Sequence, residues 1–109
     1  MSTNYYAVRV EPSLYNRTIH IGKSSVGWLF CFHSCDEFRS FSQFERFLDL
    51  EVRTGNYVLF NEYGEKVEPD WLIHLIDAKQ RDTHCLENPD NFTWDENVDG
   101  YRFSGGEFS

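Results

Sequence analysis

Residues 28–33 constrain the fold more than any other stretch, because they are apolar on both faces of an extended strand. Alternate residues of a strand share a face, and the two faces here carry Trp28, Phe30 and Phe32 on one side and Leu29, Cys31 and His33 on the other. A strand that is apolar on both sides is typical of a sheet interior with cover on each face. We therefore expect residues 28–33 to form a central strand.

Other segments are rich in β-branched and aromatic residues and predict further strands. They lie at residues 4–10, 18–21 and 57–60, with a final hairpin formed by residues 92–94 and 101–103. In the second strand, Ile19 and Ile21 share one face and His20 lies on the other. Residues 22–27 begin and end with glycine, and we expect them to form the turn of a hairpin between strands 18–21 and 28–33.

Two stretches have the spacing of amphipathic helices. Ser42 and Glu45 fit a capping box at the start of the first helix, and Gly55 is placed to end it. Pro69 is expected in the first turn of the second helix. The apolar stripe of that helix is predicted to face the core and consists of Trp71, Leu72, Leu75 and Ile76.

The resulting order of elements, β-β-β-α-β-α-β(β), predicts an α+β fold with a mostly antiparallel sheet of four to six strands and two helices packed on it. The length of 109 residues favours a single domain over residues 1–109. We expect residues 1–84 to form its core and residues 85–109 to form an acidic tail that contains several aromatic residues.

Negative charge is concentrated toward the C-terminus. Residues 1–35, 36–84 and 85–109 carry net charges of +2, −5 and −5, and the whole chain carries −8. Because phosphate binding requires a basic surface, this distribution argues against direct binding of nucleic acid and favours a protein partner with a basic surface. The first residues lack the basic and apolar regions of a secretory signal, and the longest apolar run is too short to span a bilayer. We therefore expect a cytoplasmic protein that does not bind membranes.

The predicted turn at residues 22–27 is similar to a nucleotide-binding P-loop in composition only. A P-loop needs a glycine where Arg17 stands and a helix where a strand is predicted. A tight turn with exposed N–H groups can still hold an anion. The candidate residues for binding an anionic nucleotide are Arg17, Lys23, Ser24, Ser25 and Trp28. Trp28 would stack on the base, and a plain hairpin turn is the alternative.

Cysteine and histidine residues raise two further possibilities. The possible zinc ligands are Cys31, His33, Cys35 and Cys85, although ligands of structural sites usually lie about two to four residues apart on a turn rather than alternating along a strand. Three catalytic pairings can be drawn: His20 with Asp36, His74 with Asp70, and Cys31 or Cys35 with His33. None of them has the spacing of a named catalytic motif. We expect neither a metal site nor an enzyme.

The C-terminal segment combines aromatic rings with carboxylates, which is typical of protein-binding surfaces. Rings supply contact area, and carboxylates steer a basic partner toward the site. The candidate partner-binding residues are Trp94, Asp95, Glu96, Asp99, Tyr101 and Phe103. Alternatively, these rings only attach the segment to the rest of the domain.

Four motifs together carry a family resemblance. They are MSTNYY at residues 1–6, HIGKSSVGW at 20–28, NEYG at 61–64 and GYRFSGGEFS at 100–109. The combination resembles a family of small bacteriophage proteins with no established reaction, and the similarity covers most of the chain. Many members have a CxxC pair between the first two motifs and a Cys and a His near positions 85–88, which implies a zinc site. This chain has no cysteine in residues 10–17 and has Asn88 at a ligand position, so the resemblance implies a member without the metal.

The resemblance also implies an accessory protein that acts in the cytoplasm of an infected bacterium. Small acidic phage proteins of this kind often block a host machine such as a nuclease, a CRISPR effector or a polymerase, with carboxylates in place of nucleic-acid phosphates. We therefore expect a non-enzymatic inhibitor of a host protein, without a cofactor. Two alternatives remain: a binder that sequesters an anionic nucleotide signal through residues 22–27, and a degenerate zinc-ribbon-like accessory protein.

Overall fold

A seven-stranded sheet with two helices on one face forms the described part of the chain. A computed structural model describes residues 2–10, 18–25, 29–81, 95–98 and 100–104. The strands are β1 (Ser2–Arg9), β2 (Thr18–Ser25), β3 (Cys31–His33), β4 (Tyr57–Asn61), β5 (Lys66–Val67), β6 (Asp95–Val98) and β7 (Tyr101–Ser104). The helices are α1 (Phe41–Phe47), which continues as a π-helical segment over Leu48–Val52, and α2 (Pro69–Arg81). The α+β prediction is confirmed.

The strands follow the order β5-β4-β1-β2-β3-β7-β6 across the sheet. Neighbouring strands are antiparallel except β3 and β7, which run parallel. The sheet is therefore mostly antiparallel, as predicted. β3 is an interior strand as expected, but it spans only Cys31–His33 rather than residues 28–33. The sheet has one strand more than the four to six expected, because Lys66 and Val67, for which no strand was predicted, pair with β4.

The second strand is longer than predicted. β2 continues through Ser25, so the prediction of a turn is wrong for residues 22–25, while residues 26–28 lie outside the described ranges. Gly22 occupies the strand because no side chain fits there: a Cβ would lie 2.2 Å from the carbonyl oxygen of Cys31 and 2.9 Å from the Cα of Phe32. This glycine therefore permits close packing of β2 on β3 rather than a change of chain direction.

The core lies between the sheet and the two helices. Alternate strand residues face the helices, and the buried cluster includes Tyr5, Ala7, Ile19, Ile21, Phe32, Leu59 and Phe103 from the strands and Phe44, Phe47, Leu48, Leu72 and Ile76 from the helical segments. Leu29 and Cys31 are also buried but are not part of this cluster. The region around β3 is thus covered on both faces, as its apolar pattern predicted.

The first helix begins earlier than predicted. Its N-cap is Ser40, whose Oγ accepts a 3.2 Å hydrogen bond from the backbone N of Gln43. The capping box predicted at Ser42 and Glu45 is therefore wrong. Ser40 and Gln43 have the same spacing, and the Oε1 of Gln43 accepts a 2.8 Å bond from the backbone N of Arg39, so a nearby pair satisfies the helix start instead.

Glycine and proline lie at helix ends as predicted, but the buried stripe of α2 contains fewer residues than the sequence predicted. Gly55 adopts a φ of 91° after the π-helical segment, and Pro69 is the first residue of α2. Leu72 and Ile76 are fully buried, whereas Trp71 is 53% exposed. The prediction that Trp71 is a core residue is wrong, because at 100° per residue its side chain points about 120° away from the direction in which Leu72 and Ile76 enter the core.

The C-terminal hairpin belongs to the sheet. β6 pairs with β7, so a hairpin forms as predicted, although residues 95–98 are a strand where a turn was expected. β7 pairs with β3, and the rings of Phe103 and Phe32 stack with centroids 4.7 Å apart. Phe103 is 1% exposed. Residues 102–104 are therefore buried and Tyr101 packs against the core, so a boundary at residue 84 does not separate β7 from it.

We predict that Phe103→Ala lowers the free energy of unfolding by roughly 3–5 kcal/mol, because it removes a fully packed ring. Urea titration monitored by circular dichroism measures the loss. Tyr63→Ala is the matched control, since Tyr63 is 64% exposed and its truncation should cost less than about 0.5 kcal/mol. Equal effects of the two substitutions would contradict the placement of Phe103 in the core.

Candidate functional site

The face of the sheet opposite the helices carries a polar cluster that depends on a β-bulge. Tyr6 pairs with His20 and Asn4 pairs with Lys23, with a register shift between them. The shift leaves Ile21 as an extra residue in β2. A regular strand would place residues 20 and 23 on opposite faces, whereas the bulge brings both to the face that carries Asn4 and Tyr6.

Hydrogen bonds connect this cluster to the turn after β4. The Nε2 of His20 lies 2.9 Å from the Oδ1 of Asn4, and because an amide oxygen only accepts, His20 donates this bond. The backbone N of Asn4 donates to the Oε1 of Glu62 at 2.7 Å. Asn4 is 6% exposed, so these bonds satisfy a buried amide.

Three rings stack across neighbouring strands. The centroids of Tyr6 and His20 are 4.9 Å apart and those of His20 and His33 are 5.3 Å apart, with interplanar angles of 23° and 20°. Both faces of the His20 imidazole are therefore covered. With its Nε2 on Asn4 and its ring between those of Tyr6 and His33, His20 links β1, β2 and β3.

The described residues do not assemble the zinc site that the cysteine and histidine residues made possible. Cys31 is buried and Cys35 is half-buried, and neither forms a disulfide. Their sulfur atoms lie 3.8 Å from the carbonyl oxygens of Phe32 and Phe38 respectively. Within the described ranges, no three or more His, Cys, Asp or Glu side chains are grouped so that they could hold a metal ion. Cys85 lies outside these ranges.

In two of the candidate catalytic pairs, the carboxylate forms an ion pair with an arginine. Asp36 lies 3.4 Å from the guanidinium of Arg39 and is 88% exposed. Asp70 accepts a 2.7 Å hydrogen bond from Arg53. This bond and the charge of Arg53 lower the pKa of the Asp70 carboxyl, with a smaller contribution from His74. Asp70 therefore anchors α2 to the end of the π-helical segment.

The predicted anion-binding turn is not formed by the residues that were expected to build it. Lys23, Ser24 and Ser25 lie in β2, and the carbonyl oxygen of Ser25 accepts a 2.6 Å hydrogen bond from the Nζ of Lys79. Backbone N–H groups of a strand point alternately to its two neighbours and do not converge on one anion. The other two candidate residues, Arg17 and Trp28, lie outside the described residues.

The structure divides the predicted partner-binding residues of the C-terminal segment. Phe103 is buried, so assigning it to an interaction surface is wrong. Asp95 and Glu96 occupy the edge strand β6. Trp94 and Asp99 lie outside the described residues.

Tyr101 connects the C-terminal hairpin to both helices. Its half-buried ring stacks on Phe41 of α1, with centroids 4.1 Å apart and planes at 5°. Burial raises the pKa of Tyr101, and the negative charges of Asp77 in α2 and Glu45 in α1 raise it further. The charges of carboxylates from two helices therefore act on this ring. We call Phe41, Glu45, Asp77 and Tyr101 the Tyr101 surface.

Sequence analysis missed the helix residues of the Tyr101 surface and the exposure of Trp71. Glu45 and Asp77 are far from Tyr101 in the sequence, and only the pairing of β7 with β3 brings them together. Tyr63 and Trp71 are 64% and 53% exposed. The position of Tyr63 in an acidic turn indicates its exposure, whereas the helical spacing of Trp71 predicted burial.

We predict that Gly22→Ala destabilises the protein by about 1–3 kcal/mol or more, because the added Cβ would overlap backbone atoms of β3. Chemical denaturation measures the change, and Ser24→Ala in the same strand is the control. A Gly22→Ala protein with wild-type stability would contradict the close packing of β2 on β3.

Comparisons with protein-family models, with curated proteins and with solved structures find no match to this chain. No helix in the part of the chain that the structure describes is long and apolar enough to cross a bilayer. Function is therefore inferred from the geometry and charge of the described residues.

Proposed function

We propose that this chain is a non-enzymatic binding protein that inhibits a host target with a basic surface, such as a CRISPR effector or a nuclease, in the cytoplasm of an infected bacterium. The observation that carries the proposal is the position of Tyr101 on Phe41, near the carboxylates of Glu45 and Asp77. Such a surface offers a basic partner both apolar contact and ionic interactions.

The charge of the chain supports this type of partner. A net charge of −8 attracts a basic protein over long range and accelerates encounter. Glu45 and Asp77 belong to two different helices, so secondary structure fixes the backbone positions from which both side chains extend. A surface that is ordered before binding loses little conformational entropy when the partner arrives.

The resemblance to small bacteriophage proteins supports a host protein as the target. Proteins that act on nucleic acid have basic grooves, and fixed carboxylates can occupy the positions of phosphates in such a groove. Blocking a groove requires contact area and charge but no catalytic group, which is consistent with the structural roles of His20 and Asp70.

Charge reversal on the Tyr101 surface tests the proposal. The wild-type protein is used to capture its partner from bacterial lysate at low salt, and association with the purified partner is then measured by biolayer interferometry. We predict that Glu45→Lys/Asp77→Lys slows association at least about tenfold, because it removes charge steering and creates repulsion.

The matched control is Asp36→Lys/Glu51→Lys, which changes the net charge equally but alters residues that line a separate depression. It should slow association by less than about threefold. If both double variants slow association equally, the effect comes from net charge alone and the Tyr101 surface is not the interface. If the wild-type protein captures no partner, the proposed function is wrong.

A further inference from the structure

Trp71 is a large aromatic side chain that is held in place without being covered. It lies in the first turn of α2, and its ring centroid is 6.2 Å from that of the buried Tyr5. It nevertheless remains 53% exposed. A positioned indole gives a ligand much contact area at a low cost in conformational entropy, which is why tryptophan is enriched at binding hot spots.

The exposed indole borders a depression beside the turn between β4 and β5. The depression has a volume of about 310 Å³ and is lined by Asn61, Glu65, Lys66, Val67, Glu68 and Trp71. This volume is at the lower end of the range for small-molecule sites. It suits a single side chain of a partner rather than a cofactor.

Asn61 fixes the wall of the depression that the turn provides. Its Oδ1 accepts hydrogen bonds from the backbone N atoms of Tyr63 at 2.9 Å and Glu65 at 3.0 Å. Its Nδ2 donates to the Oε1 of Glu65 at 2.9 Å. Gly64 allows this turn by adopting a φ of 79°. The Glu65 carboxylate is therefore positioned before any ligand binds.

The charges around the indole favour a cationic ligand. Glu65 and Glu68 contribute carboxylates, and the ammonium group of Lys66 lies 3.9 Å from the Oε1 of Glu68 with 65% of its side chain exposed. Such a long and exposed ion pair is weak, so an incoming cation can replace Lys66 at Glu68. The face of an indole also attracts cations.

Among cations, a guanidinium group fits best. It is planar and can stack on an indole while it donates two hydrogen bonds to a carboxylate. An ammonium group is a compact and strongly hydrated charge that does neither as well. The combination of a stacking face with two carboxylates therefore favours arginine over lysine.

We propose that the Trp71 pocket, formed by Trp71, Glu65 and Glu68, binds the guanidinium group of an arginine side chain in a basic protein segment. The guanidinium stacks on the exposed face of the indole and donates hydrogen bonds to the two carboxylates. That the arginine belongs to a protein partner rests on the proposed function, whereas binding of the guanidinium group rests on this pocket alone.

An NMR titration tests the pocket with the peptide acetyl-Gly-Arg-Gly-amide. The signal followed is the indole N–H of Trp71, which is assigned by its loss in Trp71→Phe. We predict a saturable shift with a dissociation constant in the millimolar range, as expected for one exposed contact of this kind. The same peptide with citrulline in place of arginine keeps the shape, lacks the charge and should bind at least about fivefold more weakly.

Variants of the carboxylates complete the experiment. Glu65→Gln/Glu68→Gln should weaken binding of the arginine peptide at least about fivefold, whereas the control Asp36→Asn/Glu51→Gln should leave it unchanged. Equal binding of the citrulline peptide, wild-type affinity of Glu65→Gln/Glu68→Gln, or no shift at the solubility limit of the peptide would each overturn the proposal. Because the titration uses no partner protein, its failure is distinguishable from failure of the Tyr101 surface in the association experiment.

Discussion

The parallel pairing of β7 with β3 is the interaction on which the rest of the structure depends. It joins strands that are distant in the sequence, so it carries a cost in loop-closure entropy. The stacked rings of Phe32 and Phe103, with exposures of 0% and 1%, offset that cost by burying two large apolar side chains. Once β7 is in place, its first residue, Tyr101, lies on Phe41 and within the electrostatic reach of both helices.

Helix α2 connects the two aromatic and acidic surfaces. Trp71 lies in its first turn and Asp77 lies farther along the same helix, roughly 9 Å away for a rise of about 1.5 Å per residue. The opposite side of the helix places Leu72 and Ile76 in the core. The two surfaces nevertheless lie toward different edges of the sheet, because the Trp71 depression adjoins β4 and β5 whereas Tyr101 lies in β7.

The sequence predicts those features that follow from local patterns, and it fails where tertiary contacts decide. The alternation of apolar residues and the positions of glycine and proline correctly place β1, the start of β2, β4 and the beginning of α2 at Pro69. Gly22 signals a turn and a close backbone approach equally well, and only the position of β3 distinguishes them. Periodicity places Trp71 on the apolar stripe, but its side chain is 53% exposed in the folded chain. The composition of the C-terminal segment identifies Tyr101 as a candidate partner-binding residue. The effect of the Glu45 charge on Tyr101 depends on the folded chain and cannot be read from the sequence.

Hydrogen exchange in residues 101–104 tests the central claim that β7 is part of the core. Backbone amides of a strand inside the sheet exchange only when the cooperative unit opens. The protected amides of β7 should therefore exchange at rates close to those of Ala7, which lies in the interior strand β1 and is 0% exposed. Fast exchange throughout residues 101–104 with full protection of Ala7 would show that the C-terminal segment is a separate tail, and the Tyr101 surface would not exist as described.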